Sequence, residues 1–583
     1  MVVQDLAQLK AVSHWRDPII IAGAGPIGMA TALGLAHYNV PCVVLDDDTG
    51  PTDAGSRAFL VDQHTLEILG AWSNLGWQIV EQGVTPARER IFVRKSALYS
   101  TSIASSQPRV LFPPFVNIPQ CVLEHLLFSA LQTMPSCQVL WQHKVTGIDQ
   151  DSEGVDIEVA APEGKKYFRA PYVLAADGSL STIRSLMQIN FPGTSREHHV
   201  LMLDVWIGGT EPPRERRFWF DPPFNAGRIA QLNPLSDDIY RLDYQLSPDE
   251  DPLTASQPSA LHKRIIATIG DRPYQVVWMA THTYHQQVMD HFTPGHVLFL
   301  GDAAHVTLPF GCDGLNSGIQ DAWNLVWKLV LVRAGLAPET LLDTYQNERH
   351  AAAVENSRLT DQTLSFLEPA PGLAHWKRNT NLRLSQPFKF MRRHVLANQA
   401  SNIFTYPNST IFSEDHRLYL GGRFTKLPAR QRAILKRFRQ GPLVGSQAPT
   451  FVLPDADKGS PVSLSDYFGR GFVALCFCAD VEMGMSVLQN LQTNLPDIPI
   501  ELFIVSQNLP AVAAVDGVHV LVDAEDKATS IYNAGPRTLY LIRPDRYIAA
   551  RRFDSDLNDI AALLRHAVGQ DVVDTQTRMR RTA

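Results

Sequence analysis

The sequence is poor in cysteine, with six in 583 residues and none at the spacing of zinc ligands. So few cysteines exclude a disulfide scaffold and favour a reducing compartment. The net charge of −7 leaves no basic excess that would displace counterions from a nucleic acid. We therefore expect no nucleic-acid partner and no metal site.

Long uncharged apolar runs are also missing. No stretch has the length needed to span a bilayer, and residues 1–17 lack the apolar core of a signal peptide. We therefore predict a cytoplasmic protein without stable membrane association. The composition, 45% hydrophobic and 19% charged in 583 residues, is typical of a globular protein with two or three domains.

A glycine-rich turn near the N-terminus carries the first chemical signal. The apolar run Pro18–Ala22 leads into Gly23-Ala-Gly25-Pro-Ile-Gly28, and a helical pattern and a strand ending at Asp46 follow. Gly23 permits the turn, Gly25 lets the backbone approach a pyrophosphate, and Gly28 allows close helix packing. Asp46 is placed to hold ribose hydroxyls, which favours FAD or NAD over NADP. Glycine clusters also make ordinary turns, so the prediction of a dinucleotide site depends on these flanks.

Two later strands end in comparable turns. The strand 172–176 precedes Asp177-Gly178, and the strand 297–300 precedes Gly301-Asp302 and a helix from about Leu315. Small residues before a helix N-terminus can hold an anion or a carbonyl group. If the three strands are parallel in one sheet, their turns converge on one crevice. We expect a flavin there, with Asp302 accepting hydrogen bonds from ligand hydroxyls.

Residues 200–284 change to short alternating strands separated by proline-rich turns, which predicts an inserted mixed or antiparallel sheet. One strand contains the candidate catalytic residues Tyr240, Arg241, Asp243 and Tyr244 and is expected to form part of a pocket roof. Because side chains alternate along a strand, either the two tyrosines or Arg241 and Asp243 face the flavin. Ordinary sheet packing is the alternative for all four.

The C-terminal third predicts another domain. A helical segment at 341–367 is followed by residues 370–437, which are expected to be irregular, and by a linker near Gly441–Pro449. Alternating strands and helices then predict a compact α/β domain of thioredoxin size. Cys476 and Cys478 lie on one strand, with Cα atoms about 6.6 Å apart, near the upper limit for a disulfide. Structural burial is therefore favoured for both.

Together these motifs resemble the class A flavoprotein aromatic hydroxylases, the group that includes phenol hydroxylase and 3-(3-hydroxyphenyl)propionate hydroxylase. The resemblance covers nearly the whole chain. Three motifs carry it in order: Gly23-x-Gly25-x-x-Gly28, Asp177-Gly178-x-x-Ser181-x-x-Arg184, and Gly301-Asp302-Ala-Ala-His305 with Pro309. Smaller similarities are Arg57, Gln120, Asp321-Ala322, Asn324, Trp327-Lys328, Tyr345 and Glu348-Arg349.

The resemblance implies an α/β protein with a Rossmann-type FAD-binding domain of the glutathione reductase kind. A mixed β-sheet substrate domain is inserted in it, and a redox-inactive thioredoxin-like domain follows. The implied boundaries are 1–199 and 291–345 for the FAD-binding domain, 200–290 for the substrate-binding sheet, 346–437 for a helical and irregular segment completing the substrate domain, and 438–583 for the thioredoxin-like domain.

The resemblance also implies which residues bind FAD and how NAD(P)H is handled. The implied FAD-binding residues are Gly23, Gly25, Pro26, Gly28, Asp46, Arg57, Gln120, Asp177, Gly301, Asp302, Pro309, Gly314, Leu315 and Asn316. His305 belongs to the third motif and is expected to be structural. NAD(P)H would bind only transiently, which agrees with the lack of a second glycine fingerprint.

The implied reaction is hydroxylation of a small phenolic aromatic substrate by O2, dependent on FAD and NAD(P)H, through a C4a-hydroperoxyflavin. Two alternatives stay open. One is a related monooxygenase that acts on a larger polyketide or antibiotic. The other is an FAD oxidoreductase that does not insert oxygen, or a flavoprotein scaffold. The oligomeric state also stays open, with a homodimer as one alternative.

One short segment departs from the family pattern. Where the family has Gly-Gly-Gln-Gly or a similar sequence, this chain has Gly311-Cys312-Asp313-Gly314. Asp313 either turns outward and caps the following helix, which we favour, or faces the flavin. In the second case its charge would oppose the reduced flavin and lower the reduction potential.

Overall fold

The computed structural model describes residues 5–8, 17–53, 55, 59–103, 111–209, 214–307, 313–369, 372–385, 404–413, 436–456, 460–479, 481–482, 484, 497–507, 517–553 and 559–570. The side chains of residues 195–198, 284, 313 and 375 are not part of that description. Within these ranges, no helix combines the length and apolar character needed to cross a membrane.

The described part of the chain contains 25 strands and 12 α-helices. The strands are β1 Ile19–Ala22, β2 Cys42–Leu45, β3 Leu60–Asp62, β4 Arg88–Val93, β5 Ser96–Ser102, β6 Phe115–Asn117, β7 Cys137–Leu140, β8 Lys144–Gln150, β9 Val155–Ala161, β10 Gly164–Ala170, β11 Val173–Ala175, β12 Gly193–Ile207, β13 Glu215–Phe220, β14 Ile229–Pro234, β15 Ile239–Gln245, β16 Tyr274–Val288, β17 Val297–Phe299, β18 His305–Val306, β19 Val452–Pro454, β20 Pro461–Ser463, β21 Phe472–Phe477, β22 Ile500–Ser506, β23 Val518–Val522, β24 Thr538–Ile542 and β25 Ile548–Arg552. The helices are α1 Pro26–His37, α2 Gln63–Trp72, α3 Leu75–Gln82, α4 Gln120–Gln132, α5 Thr182–Leu186, α6 Pro252–Ala255, α7 Pro258–Ile269, α8 Asp313–Arg333, α9 Asp343–Leu367, α10 Leu373–Leu384, α11 Lys527–Ile531 and α12 Ile560–Ala567.

Five strands form a parallel sheet in the order β17-β11-β1-β2-β7. The central strand β1 is apolar and buried along its whole length, as expected for a parallel sheet covered on both faces. Helix α1 follows β1 directly and is itself almost entirely buried. Because the strands are parallel, the turns after β1, β2, β11 and β17 lie along one edge of the sheet.

The alternating residues of Val139–Trp141, Val145–Asp149, Val155–Val159 and Tyr167–Arg169 predict a small antiparallel meander, and this prediction is wrong for the first of the four strands. The structure places β7 as an edge strand that pairs in parallel with β2, with Cys42 opposite Cys137. Helix α4 precedes β7, and such a crossover returns the chain in the same direction. The meander consists of the three antiparallel strands β8, β9 and β10.

An eight-stranded mixed sheet has the order β18-β16-β12-β15-β14-β13-β4-β5. The strands β12 to β16 agree with the sheet predicted over residues 200–284. The strands β4 and β5 were not predicted, and β4 joins by parallel pairing with β13. On one face, Leu242 packs in a core with Ile265 of α7, and on the other, Met202 packs with Leu364 of α9.

The C-terminal sheet has the order β23-β22-β21-β24-β25, with three parallel strands and two antiparallel ones. Residues 370–437 were predicted to be irregular, and α10 contradicts this within the described part. Leu373 and Trp376 of α10 are 80% and 64% exposed, and Leu382 is buried. Its apolar residues therefore do not follow one face, which hides the helix from pattern analysis.

Candidate active site

The glycine turn after β1 is in close contact with the turn after β11. A Cβ atom added to Gly23, whose φ is +100°, would lie 2.4 Å from the carbonyl oxygen of Ala176. A Cβ on Gly28 would lie 1.9 Å from the carbonyl oxygen of Gly23, so α1 packs directly on the turn. At Gly25, by contrast, no described atom lies within 4 Å of such a Cβ. Open space at a helix N-terminus fits the pyrophosphate of a dinucleotide.

Asp46 is fixed at the end of β2 against this turn. Its Oδ2 accepts a hydrogen bond from the Ala24 N–H at 2.6 Å, and its Oδ1 accepts one from the Asp48 N–H at 2.9 Å. Burial raises the pKa of Asp46, although these backbone donors oppose the rise. Each carboxylate oxygen keeps a further lone pair, which matches the hydroxyl donors of a ribose.

The carboxylate of Asp177 is used within its own turn. It accepts hydrogen bonds from the Ser181 hydroxyl at 2.7 Å and the Ile183 N–H at 3.0 Å, and burial raises its pKa. The neighbouring Arg184 donates to the carbonyl oxygen of Ala303 at 3.0 Å. The motif that ends at Arg184 therefore stabilises the motif that begins at Gly301 through a direct hydrogen bond.

The turn at Gly301 is held by a buried carboxylate. Asp321 of α8 accepts hydrogen bonds from the Gly301 N–H at 2.9 Å, His305 Nε2 at 2.7 Å and Arg349 Nε at 2.6 Å. Burial raises the pKa of Asp321, but His305 and Arg349 outweigh it and the net shift is downward. These contacts agree with a structural role for His305 and explain why Asp321 and Arg349 accompany the motif.

The residues around the start of α8 are also placed close together. Asp302 and Leu315 are half-buried, and a Cβ on Gly314 would lie 3.7 Å from Asp302 Oδ1. Asp302 therefore lies beside the N-terminus of α8, where backbone N–H groups are available to a ligand.

The side chain of Asn316 is committed to a neighbouring segment. Its Oδ1 accepts from the Asp62 N–H at 3.0 Å and the Thr65 hydroxyl at 2.9 Å, and its Nδ2 donates to the Leu60 carbonyl at 3.2 Å. Asn316 is 1% exposed. The geometry leaves its backbone, rather than its amide group, as the part that can meet a cofactor.

Of the four other predicted cofactor-binding residues, two lie within the described residues and two lie outside them. Pro26 lies in the first turn of α1, and Gln120 at the start of α4 donates to Glu124 at 2.8 Å. Arg57 and Pro309 lie outside the described residues, as do Cys312 and the side chain of Asp313. Both alternatives for Asp313 therefore stay open.

The large sheet separates the four candidate catalytic residues by face. Tyr240 and Tyr244 are buried in the core beneath α7, where the Tyr244 hydroxyl lies 2.7 Å from Thr268 Oγ1. Arg241 and Asp243 lie on the opposite face, since they alternate with the tyrosines. On that face Arg241 stacks on Phe59, with its guanidinium carbon 5.4 Å from the ring centre. Phe59 belongs to the FAD-binding part of the chain, so this face, called the roof face below, is the one that contacts that part.

Arg241 forms a buried ion pair with Asp204. Its Nε donates to Asp204 Oδ1 at 2.6 Å and its Nη2 to Oδ2 at 3.0 Å, and the arginine has no exposed surface. The guanidinium also lies 5.2 Å from the ring centre of Trp278. Sequence reasoning missed Asp204. The signal that could have identified it is the presence of an acidic residue in the middle of the apolar strand β12.

Asp243 differs from its neighbours because its carboxyl group is left without a partner. Its Oδ1 is buried and has no hydrogen-bond partner in the described part of the chain. Burial raises the pKa of Asp243 to about 6, against the lowering effect of Arg241. A carboxyl group with this pKa exchanges a proton readily near neutral pH.

A cavity of about 510 Å³ lies elsewhere, between α2 and the C-terminal unit. Its walls include His37, Glu67 and Trp77 on one side and Phe468 and Arg546 on the other. It contains none of the predicted site residues, so it belongs to the contact between the two parts rather than to the site at the strand ends.

Two family models match the chain. The first, described as an FAD binding domain, matches residues 16–360, more than half of the sequence. The second, described as the HcaD C-terminal domain, matches residues 449–567. The first match spans the three glycine- and aspartate-bearing turns, and the second spans the C-terminal sheet.

Several curated proteins are similar along the chain. A 3-(3-hydroxy-phenyl)propionate/3-hydroxycinnamic acid hydroxylase from Burkholderia vietnamiensis is 25% identical over 569 residues, covering 93% of this chain and 95% of that protein. A 12-dehydrotetracycline 5-monooxygenase/anhydrotetracycline 6-monooxygenase from Streptomyces rimosus is 30% identical over 375 residues, covering 61% of this chain and 71% of that protein.

Solved structures share the fold at lower identity. The flavin-dependent monooxygenase PieE, solved with FAD and substrate, has a TM-score of 0.76 at 19% identity and covers 95% of this chain and 99% of its own. Aklavinone-11 hydroxylase, solved with FAD and aklavinone, has a TM-score of 0.73 at 21% identity with the same two coverages.

Proposed function

The chain belongs to the FAD-binding domain family as a class A flavin-dependent aromatic monooxygenase, and from this premise we propose that it hydroxylates a phenolic aromatic substrate with O2 and NAD(P)H. Bound FAD would supply electrons taken from NAD(P)H and would activate O2 for transfer to the aromatic ring. The curated relative that covers 93% of this chain is named for hydroxylating hydroxyphenyl acids, which supports a phenolic substrate.

The residues at the strand ends would hold the cofactor. Gly25 would face the pyrophosphate and Asp46 the adenosine ribose, while Asp302 would lie beside the flavin chain at the start of α8. The open space in front of Gly25 supports this arrangement, because no protein atom competes for it among the described residues. The carboxylates of Asp177 and Asp321 would act indirectly, by fixing the turns.

Asp243 is the residue we propose as the proton acceptor for the phenolic hydroxyl. The observation that carries this is its unpartnered, buried carboxyl group on the roof face, with a pKa of about 6. The phenolic O–H bond would break as the proton forms a new bond to the Asp243 carboxylate, leaving an electron-rich phenolate. We propose Arg241, which is held by Asp204, as a positioning residue. It fixes strand β15 and keeps the positive charge of its own guanidinium group in place.

The experiment that tests the reaction is a turnover assay with a panel of phenols. We expect NAD(P)H consumption, O2 consumption and hydroxylated product to be equal for the true substrate. A non-oxygenating oxidoreductase would consume NAD(P)H without incorporating oxygen. Peroxide released at the same rate with and without every phenol would contradict hydroxylation.

A larger polyketide is the second candidate substrate. The 30% identical relative is named as a tetracycline-type monooxygenase, and this supports including polycyclic phenols in the panel. Turnover of a polycyclic phenol but of no single-ring phenol would favour this candidate over the first.

We also propose that the C-terminal unit, residues 438–583, is thioredoxin-like and inactive in redox chemistry. The strand order β23-β22-β21-β24-β25 supports the fold. The inactivity is supported by Cys476, which is completely buried and whose pKa is raised by that burial. Alkylation of the native protein would leave Cys476 unmodified, and rapid modification would contradict the proposal.

A further inference from the structure

The roof face of the large sheet is covered at its two ends and less covered between them. Towards one end Arg241 is covered by Phe59, and towards the other Ile229 packs in a core with Leu367 of α9. Gln231 and Asp243 lie between these contacts and are only half-buried. This part of the face is therefore more accessible than its two ends, and Gln231 and Asp243 lie in it.

Gln231 and Asp243 are direct neighbours across strands β14 and β15. Directly opposed residues have Cβ atoms about 4.5–5.5 Å apart, so one small ligand group can reach both side chains. Asp243 Oδ1 is buried without a hydrogen-bond partner in the described part of the chain, and no hydrogen bond is found there for the half-buried Gln231 amide. Buried polar groups are usually paired, so the unpaired carboxylate oxygen points to a ligand, and a ligand group that reaches it also lies beside the Gln231 amide.

We propose that Gln231 is a specificity-determining residue that binds the phenolic hydroxyl together with Asp243, an inference that rests on the proposed function. The Gln231 Nε2 donates to the phenolic oxygen, and the phenolic O–H donates to the Asp243 carboxylate. A hydroxyl group satisfies both residues because it accepts and donates at once. A methyl group in place of the hydroxyl can neither accept nor donate, so toluene leaves both side chains unpaired.

The half-buried Trp278 lies on the same face, opposite Asp204. An added Cβ on Gly55 would lie 1.9 Å from Trp278 Nε1, so the ring is in close contact with the FAD-binding part of the chain. The face therefore presents an aromatic ring together with one donor and one acceptor. Such a set fits a planar phenol.

The test compares phenol with toluene, in which a methyl group replaces the hydroxyl, in FAD-loaded protein. Kd is read from the change in flavin absorbance without NAD(P)H. In Gln231→Leu, we expect phenol to bind about tenfold more weakly, the loss of one hydrogen bond, and toluene to bind within about twofold of wild type. The control is Gln275→Leu, at an exposed position of β16 in the same sheet, and it should change neither Kd.

A second measurement separates recognition from folding. Gln231 has no protein partner to lose, so the melting temperature of substrate-free Gln231→Leu should equal that of wild type within about 2 °C. A lower melting temperature with equal weakening of phenol and toluene would overturn the assignment in favour of a structural role. An unchanged ratio of the two Kd values would also overturn it.

The outcome also distinguishes this inference from the proposed function. If wild-type protein hydroxylates no phenol of the panel, the proposed function fails and Gln231 fails with it. If wild type hydroxylates a phenol and Gln231→Leu keeps the same preference for phenol over toluene, only the assignment of Gln231 fails.

Discussion

Two buried groups of charges in this molecule have different hydrogen-bonding states. The interface cluster joins the C-terminal unit to α8 and α9 and consists of Lys328, Glu348, Arg543 and Asp545. Arg543 donates to both carboxylate oxygens of Glu348, at 2.7 and 2.9 Å, and Lys328 donates to Glu348 at 3.0 Å. Arg543 also donates to Asp545 at 2.9 Å. The cluster therefore pairs two cations with two anions, and all four residues are buried.

The roof cluster consists of Asp204, Arg241 and Asp243. Here the arginine pairs with Asp204, and the second acid is left with no hydrogen bond in the described residues. The pKa values follow this difference. The pKa of Glu348 is lowered in spite of its burial, because Arg543 and Lys328 oppose that effect, whereas burial raises the pKa of Asp243 to about 6.

The comparison indicates how a buried charge is to be interpreted. A fully paired cluster holds the fold together, and removing one member leaves an uncompensated charge. An unpaired acid destabilises the fold, so its presence on the roof face is better explained by chemistry than by packing.

The largest expected effect comes from breaking the interface cluster. Replacing Arg543 by Met leaves Glu348 and Asp545 with one cation between them, and we expect the unfolding free energy to fall by about 3–5 kcal/mol. Chemical denaturation measures this. The matched control is Arg358→Met, which removes an exposed pair with Glu355 and should cost less than about 1 kcal/mol. Equal losses in the two variants would remove the distinction between buried and exposed pairs.

Replacing Asp243 by Asn tests the other side of the comparison. We expect hydroxylation to fall by about 10²–10⁴-fold because the proton acceptor is gone, measured as kcat/KM for the best phenol. The exposed Asp238, just before the same strand, provides the control Asp238→Asn, which should retain full activity. Asp243→Asn with near-normal turnover would show that the unpaired acid is not the base.

The same variant should not lose stability. Because the pKa of Asp243 is raised in the folded state, the stabilising contribution of the neutral carboxyl is complete below pH 3.8 and is lost as the pH rises through about 6. At pH 7 the asparagine removes an ionised buried group, so we expect Asp243→Asn to be more stable than wild type by ~1–3 kcal/mol. A destabilised variant in denaturant melts would count against an unpaired carboxylate.

The pH dependence of turnover gives a smaller effect. We expect kcat/KM of the wild type to rise as the pH increases through about 6 and then to level off, since Asp243 must be ionised. Arg241 and Arg216 lower this pKa and Asp204 raises it, so Asp204→Asn should move the rise to lower pH. A profile that is flat from pH 5 to 8 in the wild type would exclude a titrating base of this kind.

The smallest effect is expected on the opposite face of the sheet. Tyr244→Phe removes the contact between the tyrosine hydroxyl and Thr268, which should cost about 0.5–1.5 kcal/mol of unfolding free energy. Turnover should be unchanged, because α7 covers this face. A large loss of activity without loss of FAD would contradict the separation of the two faces.

The glycine turns were predictable because their chemistry is local. Gly23 and Gly28 lie five residues apart, and their predicted roles as turn and packing positions agree with the contacts that an added Cβ would make. The parallel arrangement of β1, β2, β11 and β17 could be anticipated from strand ends that each carry a glycine or an acid, whereas the edge strand β7 was wrongly predicted. The cofactor contacts themselves stay predictions.

The residues that were missed depend on distant partners. Asp204 and Arg241 are 37 residues apart, and β4 reaches the large sheet by pairing with β13, far along the chain. The periodicity of one strand carries no information on which strand lies beside it. The alternation of side chains along β15 therefore separated its two faces, but it did not identify which face lies beneath α7.

The link between Glu348 and Arg543 has a consequence for protein synthesis. Arg543 is made 195 residues after Glu348, which at about 5–20 residues per second is a delay of roughly 10–40 s. During that interval α8 and α9 exist on the ribosome without the arginine that completes their interior. The cofactor-binding half therefore reaches its final packing only after the second half has been translated.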